Sequence, residues 1–230
     1  MNVQLFIPCF IDQLYPDVAF DSIKILEKLQ CNVTYNPNQT CCGQPAYNAG
    51  FKEDACDVYK KFLTDFNTQD YIVCPSASCV GFLKNYAATM TPQNIPLPIF
   101  ELTEFIVDIL KITNLNATFI GNVAYHSSCA SLRECIIKDA PISLLKNVQG
   151  LHLIPFAENE TCCGFGGSFA VKFEAISSAM GEQKINHIKN VHATTITSTD
   201  MSCLLHLEGI IKKNNLSIEV KHIAQILANF

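Results

Sequence analysis

The chain has 230 residues, 49% of them apolar and 16% charged, with a net charge of −5. That balance supplies a filled core and argues against disorder, and its scattered lysines leave no basic stripe for nucleic acid. No stretch approaches the roughly 18 apolar residues of a membrane span, and residues 1–9 lack the basic region and the long apolar run of a signal peptide. A cytoplasmic setting is expected, with membrane contact only peripheral and through partners.

Taken in chain order, residues 3–8 predict a short strand ending at Cys9. Val18, Ile25, Leu26 and Leu29 fall at helical spacing, so 18–29 predicts an amphipathic helix. Residues 31–35 alternate like a strand and lead into Cys41-Cys42-Gly43. A helical stretch over 46–66, a strand over 71–74, Cys79, a strand over 97–100 and a helix over 103–111 complete the first half. After Asn114–Asn116 the order repeats. A strand over 123–126 precedes Cys129, and a helical stretch over 132–148 is interrupted by Pro141. A strand over 151–156 then leads to Cys162-Cys163-Gly164 and a helix over 169–189. A strand over 193–197, Cys203, a strand over 217–220 and a helix over 222–227 follow. Strands alternating with helices imply parallel pairing through crossovers. The expected fold is α/β: two pseudo-symmetric lobes, residues 1–115 and 116–230, each a small, mostly parallel sheet with crossover helices.

Eight of the twelve cysteines obey the repeat. Cys9, Cys41, Cys42 and Cys79 recur as Cys129, Cys162, Cys163 and Cys203, at offsets of 120, 121, 121 and 124. Each sits where a strand's carboxyl end meets a loop, the place where sites gather in parallel sheets. Four thiolates suit an iron–sulfur cluster or zinc. Gly43 and Gly164 permit the positive φ that lets an adjacent cysteine pair point inward. Helices starting after the CCG loops and after Cys79 and Cys203 are expected to aim N–H groups at the sulfurs. Zinc is the alternative cofactor, although zinc sites usually bring ligands two to four residues apart and no two of the eight have that spacing. Structural thiols, or a strained and reducible disulfide within either adjacent pair, form a third reading. Cys31, Cys56, Cys74 and Cys135 read as small buried hydrophobes, with Cys74 set apart because it shares a strand end with Cys79.

The doubled pattern, Cys then about thirty residues to CCG then about forty to a last Cys, resembles the CCG (cysteine-rich) domain. That domain occurs in heterodisulfide reductase and in iron–sulfur subunits of glycolate oxidase and anaerobic glycerol-3-phosphate dehydrogenase. It also makes up the lactate utilization protein A family, which a two-repeat chain with no ferredoxin-like cysteine run resembles most. The resemblance implies one or two iron–sulfur clusters, of the [4Fe–4S] type, on Cys9, Cys41, Cys42 and Cys79 and on Cys129, Cys162, Cys163 and Cys203. It also implies an electron-transfer role in oxidising L-lactate to pyruvate, beside partner subunits that include a ferredoxin-type iron–sulfur protein. Heterodisulfide-type thiol–disulfide chemistry, or a zinc-bound or apo assembly scaffold, is the alternative. The fuller family pattern ends in Cys-x-x-Cys, and here Ser76 and Asp200 hold the first of those two positions.

Two further residues are candidates for catalysis. His126 matches a His-x-x-Cys of the resembling family, and is open to bonding a sulfur, binding a carboxylate or passing a proton, against a purely structural role. Arg133, the only arginine, follows Cys129 and suits a carboxylate clamp as well as a surface ion pair. The remaining histidines read as surface or packing residues. Gly164-Phe165-Gly166-Gly167-Ser168 lacks the third glycine of a dinucleotide loop.

Overall fold

The computed structural model describes residues 1–67, 69–90 and 97–230. Its first half runs β1 (Asn2–Leu5), α1 (Cys9–Leu14), α2 (Pro16–Lys28), β2 (Asn32–Tyr35), α3 (Gln44–Asn48), α4 (Lys52–Asp65), β3 (Tyr71–Cys74), α5 (Ala77–Asn85), β4 (Ile99–Glu101) and α6 (Leu102–Glu104), which continues into a π-turn, Phe105–Ile109. The second half runs β5 (Thr118–Tyr125), a π-turn (Ala130–Glu134), α7 (Asp139–Lys146), β6 (Gln149–Leu153), α8 (Ser168–Lys172), α9 (Glu174–Asn190), β7 (Thr195–Ser198), α10 (Met201–Lys213), β8 (Glu219–His222) and α11 (Ile223–Leu227).

The two sheets have one topology. Their orders are β2-β1-β3-β4 and β6-β5-β7-β8, and every pairing is parallel. In such a sheet the first crossover leaves β1 in one direction and the next returns to its other side. The crevice outside the carboxyl ends of β1 and β3, and of β5 and β7, is therefore the switch point at which ligands bind. Burial follows this plan. Ile72, Val73 and Cys74 are covered on both faces of an interior strand, whereas β2 at the edge is largely exposed. Helix α2 starts with Pro16 at its first position and buries Val18, Ser22, Ile25 and Leu26, a helical stripe laid on the sheet.

The lobes pack as a fused pseudo-dimer. Helix α2 of the first lobe lies on α11 of the second, and α7 of the second lies on α6 of the first. Equivalent elements thus meet reciprocally, the signature of a two-fold interface. One apolar cluster runs through both lobes, from Val3, Val18 and Leu26 to Val123, Leu144 and Ile226. At the chain end, Lys28 Nζ donates to Leu115 O at 2.7 Å and stands 3.4 Å over the Phe230 ring. The equivalent sheet ends even share a device. Glu101 caps α6, accepting from Thr103 N at 2.7 Å, and His222 Nδ1 caps α11, accepting from Ala224 N at 3.2 Å. His222 is wholly buried, a cap rather than a surface residue.

Several boundaries differ from expectation. The stretches expected as single helices over 46–66 and 169–189 are each broken after one short helix, at Ala49–Phe51 and at Phe173. Pro141 interrupts nothing: it lies in the first turn of α7, where its missing N–H costs no helical bond. The break falls earlier, between Glu134 and Asp139, where Ile136 has a φ of 59°. Strand β5 begins at Thr118, five residues before the expected start. Cys79 and Cys203 lie inside the first turns of α5 and α10, so these helices start before the cysteines rather than after them.

Candidate metal centres

Each lobe gathers its cysteines into a chain of touching sulfurs. In the first, Cys9 begins α1 after β1, Cys41 and Cys42 lie on the loop after β2, and Cys79 lies in the first turn of α5 after β3. Cys41 is within hydrogen-bonding reach of both Cys9 and Cys42, and Cys42 of Cys79. The second lobe repeats this link for link, Cys129 to Cys162, Cys162 to Cys163 and Cys163 to Cys203. Three loops of one sheet converge on one point, twice. All twelve cysteines are free thiols.

The backbone favours negative sulfur at the same place in each lobe. Gly43 N–H donates to Cys41 Sγ and Gly164 N–H to Cys162 Sγ, both at 3.4 Å, and Phe165 N–H donates to Cys163 Sγ at 3.5 Å. Thiols donated by Cys42 and Cys9 hold Cys41 down to about 3, helped by the Gly43 N–H. Cys129 and Cys163 do the same for Cys162, which falls to about 2. The donors Cys42 and Cys163 are pushed up by those bonds and by burial. The first cysteine of each CCG is thus where a thiolate settles, flanked by thiols that give up protons when a soft cation arrives. Soft donors converging on a point lined by N–H groups fit an iron–sulfur cluster or another thiophilic metal.

The CCG glycines make the turn. Gly43 and Gly164 have φ of +95° and +96°, which side-chain-bearing residues rarely adopt. A Cβ on Gly164 would lie 2.5 Å from Ser177 O, and one on Gly43 3.2 Å from Ala55 O. Gly43→Ala is expected to cost about 1–3 kcal/mol from backbone strain, and Gly164→Ala more, because a carbonyl of α9 must also move. Urea unfolding under anaerobic conditions reads the difference; equal losses would show that α9 yields freely.

Between the two sites lies Asp200, 1% exposed. It accepts from Ser76 Oγ at 3.1 Å, from Ser78 N–H at 2.9 Å and from Ser128 Oγ. Ser76 and Asp200 are equivalent positions of the two repeats, and they meet across the pseudo-two-fold axis. Ser78 and Ser128 directly precede Cys79 and Cys129, so one carboxylate pins the approaches to both sites. Burial pushes its carboxyl up. Cys135 also crosses the interface, its thiol donating to Ala77 O at 3.2 Å.

Of the two other candidates, the structure brings one to the site. His126 is wholly buried at the end of β5, and one of its ring nitrogens lies within 4.8 Å of Cys163 Sγ and Cys203 Sγ. Burial, then the charge of Lys184, lowers its pKa to about 3. Arg133 is exposed on the π-turn after Cys129 and lines neither sulfur chain. Two other residues join the sites although the repeat does not mark them. Cys74, at the end of β3, is fully buried within hydrogen-bonding reach of Cys79, a fifth thiol for the first lobe. Lys184, 2% exposed on α9, donates from Nζ to Glu158 O at 2.7 Å and to Asn159 O at 3.4 Å, behind Cys162 and Cys163. The signal available for Cys74 was its place at a strand end beside Cys79; Lys184 carried none.

Comparison with known proteins agrees with this geometry. The cysteine-rich domain model, CCG, matches residues 3–84 and 123–208, one copy in each lobe. Lactate utilization protein A of Shouchella clausii is 41% identical over 99% of this chain and 98% of its own length. Its counterparts in Geobacillus kaustophilus and Geobacillus sp. WCH70 are each 40% identical, over 99% of this chain and 98% and 99% of theirs. The chain belongs to the lactate utilization protein A family of cysteine-rich domain proteins. Each matched CCG segment starts in or near the first strand of a lobe and ends in the helix carrying the last patterned cysteine, so the family pattern and the converging loops are one feature seen twice. Among solved structures, a glutamate racemase of Bacillus anthracis covers 98% of this chain and 78% of its own, at 12% identity and a TM-score of 0.39, a superposition too loose to bear on the site.

Proposed function

We propose that this chain is a cytoplasmic iron–sulfur electron-transfer subunit of an L-lactate-oxidising system, with Cys9, Cys41, Cys42 and Cys79 holding one cluster and Cys129, Cys162, Cys163 and Cys203 a second. The observation that carries the reading is the identical sulfur chain in both lobes, each with an N–H-stabilised thiolate at the first CCG cysteine. The substrate class comes from the name of the relatives, lactate utilization protein A. Bound clusters supply one-electron steps, and two of them match the two electrons that leave lactate as it becomes pyruvate. The chain's own residues hold the clusters, exclude water from their buried side and tune their potential through N–H···S bonds. The electrons pass to or from partner lactate-utilization subunits, one of them a ferredoxin-type iron–sulfur protein. Among the described residues no helix is long and apolar enough to cross a membrane, and any membrane contact in this reading is peripheral, through those partners.

The test is iron and acid-labile sulfide per chain on anaerobically purified protein, with lactate-dependent bleaching once partners are added. About four or eight of each is expected; zinc alone, or no metal, would overturn the cluster reading. A second reading, heterodisulfide-type reduction of a disulfide by two electrons and two protons to two thiols, draws on one observation: Cys74 beside Cys79 gives the first lobe five thiols. Disulfide turnover by the isolated protein with an artificial one-electron donor distinguishes it.

A further inference from the structure

The two sites share their sulfur chain but not their surroundings. In the first lobe the residue three before Cys9 is Phe6, fully buried edge-on to Phe62 at 5.0 Å and Phe66 at 5.4 Å. Its counterpart in the second lobe is His126. The register of the two long helices is set by Ala55 and Ser177, whose carbonyls face Gly43 and Gly164. In that register the counterpart of Phe62 is Lys184. An aromatic pair in one lobe is thus a histidine–lysine pair in the other, at the same place behind the sulfurs.

This polar pair leaves one nitrogen uncommitted. His126 Nδ1 lies 3.3 Å from Asn159 O, the carbonyl that also accepts from Lys184 Nζ at 3.4 Å. A carbonyl only accepts, so Nδ1 carries the ring proton and Nε2 is left as a bare lone pair. Protonating Nε2 as well would set a second positive charge on a carbonyl already shared with a buried ammonium. Nε2 is buried and has no hydrogen-bond partner, a costly state for a polar atom unless something occupies its lone pair. A neutral ring cannot donate from this nitrogen to a sulfur. It can bind a metal.

We propose that His126, through Nε2, is a metal ligand of the second site beside Cys163 and Cys203, so that the two centres of this protein differ in ligation. The proposal rests on the metal-centre reading above. Each lobe then brings a fifth soft donor from a strand end: Cys74 in the first, an imidazole in the second. An imidazole is neutral where a thiolate is negative, and it stands in front of the buried Lys184 ammonium. Both differences favour the more negative, reduced form of the second centre. Electrons therefore run from the first lobe to the second.

The test is pulsed electron paramagnetic resonance on the anaerobically purified, reduced full chain, with natural histidine and with histidine labelled by the heavy nitrogen isotope. A coupling to directly bound nitrogen that changes with the isotope is expected in one of the two cluster signals, and needs no variant. His126→Phe, which installs the first lobe's own residue, should lose that coupling and lower the potential of that signal alone; His126→Gln serves if the phenylalanine variant does not fold. Cluster signals with no nitrogen coupling would overturn the ligand while leaving the cluster reading intact. If the protein carries zinc in place of iron, X-ray absorption at the zinc edge asks the same question: nitrogen at about 2.0–2.1 Å beside sulfur at about 2.3 Å supports the ligand, and sulfur alone overturns it. Metal-free protein under all conditions overturns both.

Discussion

Cys42→Ser and Cys163→Ser are each expected to remove about half of the iron, one cluster of two, and the double variant to be colourless. These two cysteines sit mid-chain among the sulfurs, 3% and 2% exposed. Each touches the first cysteine of its CCG on one side and the last patterned cysteine on the other. Serine keeps the shape but replaces a soft thiolate with a hard hydroxyl that stays protonated at neutral pH. No other thiol of the second lobe is placed to stand in for Cys163, whereas Cys74 lies beside Cys79 in the first. Residual iron in the Cys42 variant above that in the Cys163 variant would therefore mark Cys74 as a substitute ligand. Full iron in both single variants would sink the assignment of these sites. Iron, sulfide and the visible spectrum, taken on one anaerobic sample, decide it.

Asp200→Ala is expected to destabilise the protein by about 3 kcal/mol or more, as removal of a buried acceptor strands its donors. Ser78 N–H and Ser128 Oγ lose their acceptor at once, and Ser76 Oγ keeps only Ser78 Oγ at 3.1 Å, around a carboxylate that is itself 1% exposed. The loss falls on both sites, because Ser78 and Ser128 adjoin Cys79 and Cys129. Ser76→Ala removes one donor and leaves the carboxylate two, so a cost near 1 kcal/mol is expected there. Asp200→Asn keeps one acceptor oxygen and should fall between. Denaturant midpoints measured without oxygen, with iron content read on the same samples, test the order. A midpoint for Asp200→Ala no lower than that for Ser76→Ala would mean that the carboxylate does not hold the lobes in register.

Much of this architecture was legible because the repeat writes its elements twice. Three strands and a CCG loop at a fixed offset gave the parallel sheets, and strand-end placement gave the convergence of the eight cysteines. Offsets find equivalent residues, however, and are blind to residues that meet across an axis. Ser76 and Asp200 stand out in the sequence as departures from a pattern, yet their hydrogen bond joins positions 124 apart and follows only from the lobe packing. Lys184 was hidden for another reason: a lysine on an amphipathic helix ordinarily faces water, and this one is held inside by two carbonyls and the Phe156 ring 5.5 Å away. The helix break at Phe173 was likewise unreadable, since no glycine or proline marks it, whereas Gly50, with a φ of +94°, marks the one at Ala49–Phe51.

An axis shared by two identical chains imposes a rule that this molecule escapes. In a homodimer, whatever stands at position 76 meets itself, so the contact is serine to serine or carboxylate to carboxylate, and two buried carboxylates in that space repel. Joining both copies in one polypeptide lifts the rule: a serine donates and an aspartate accepts. The same release lets one copy keep Phe6, Phe62 and Cys74 while the other holds His126, Lys184 and Ser198 at the matching places. Covalent fusion is thus what allows one protein to carry a symmetry of shape and an asymmetry of chemistry, which a symmetric pair could not.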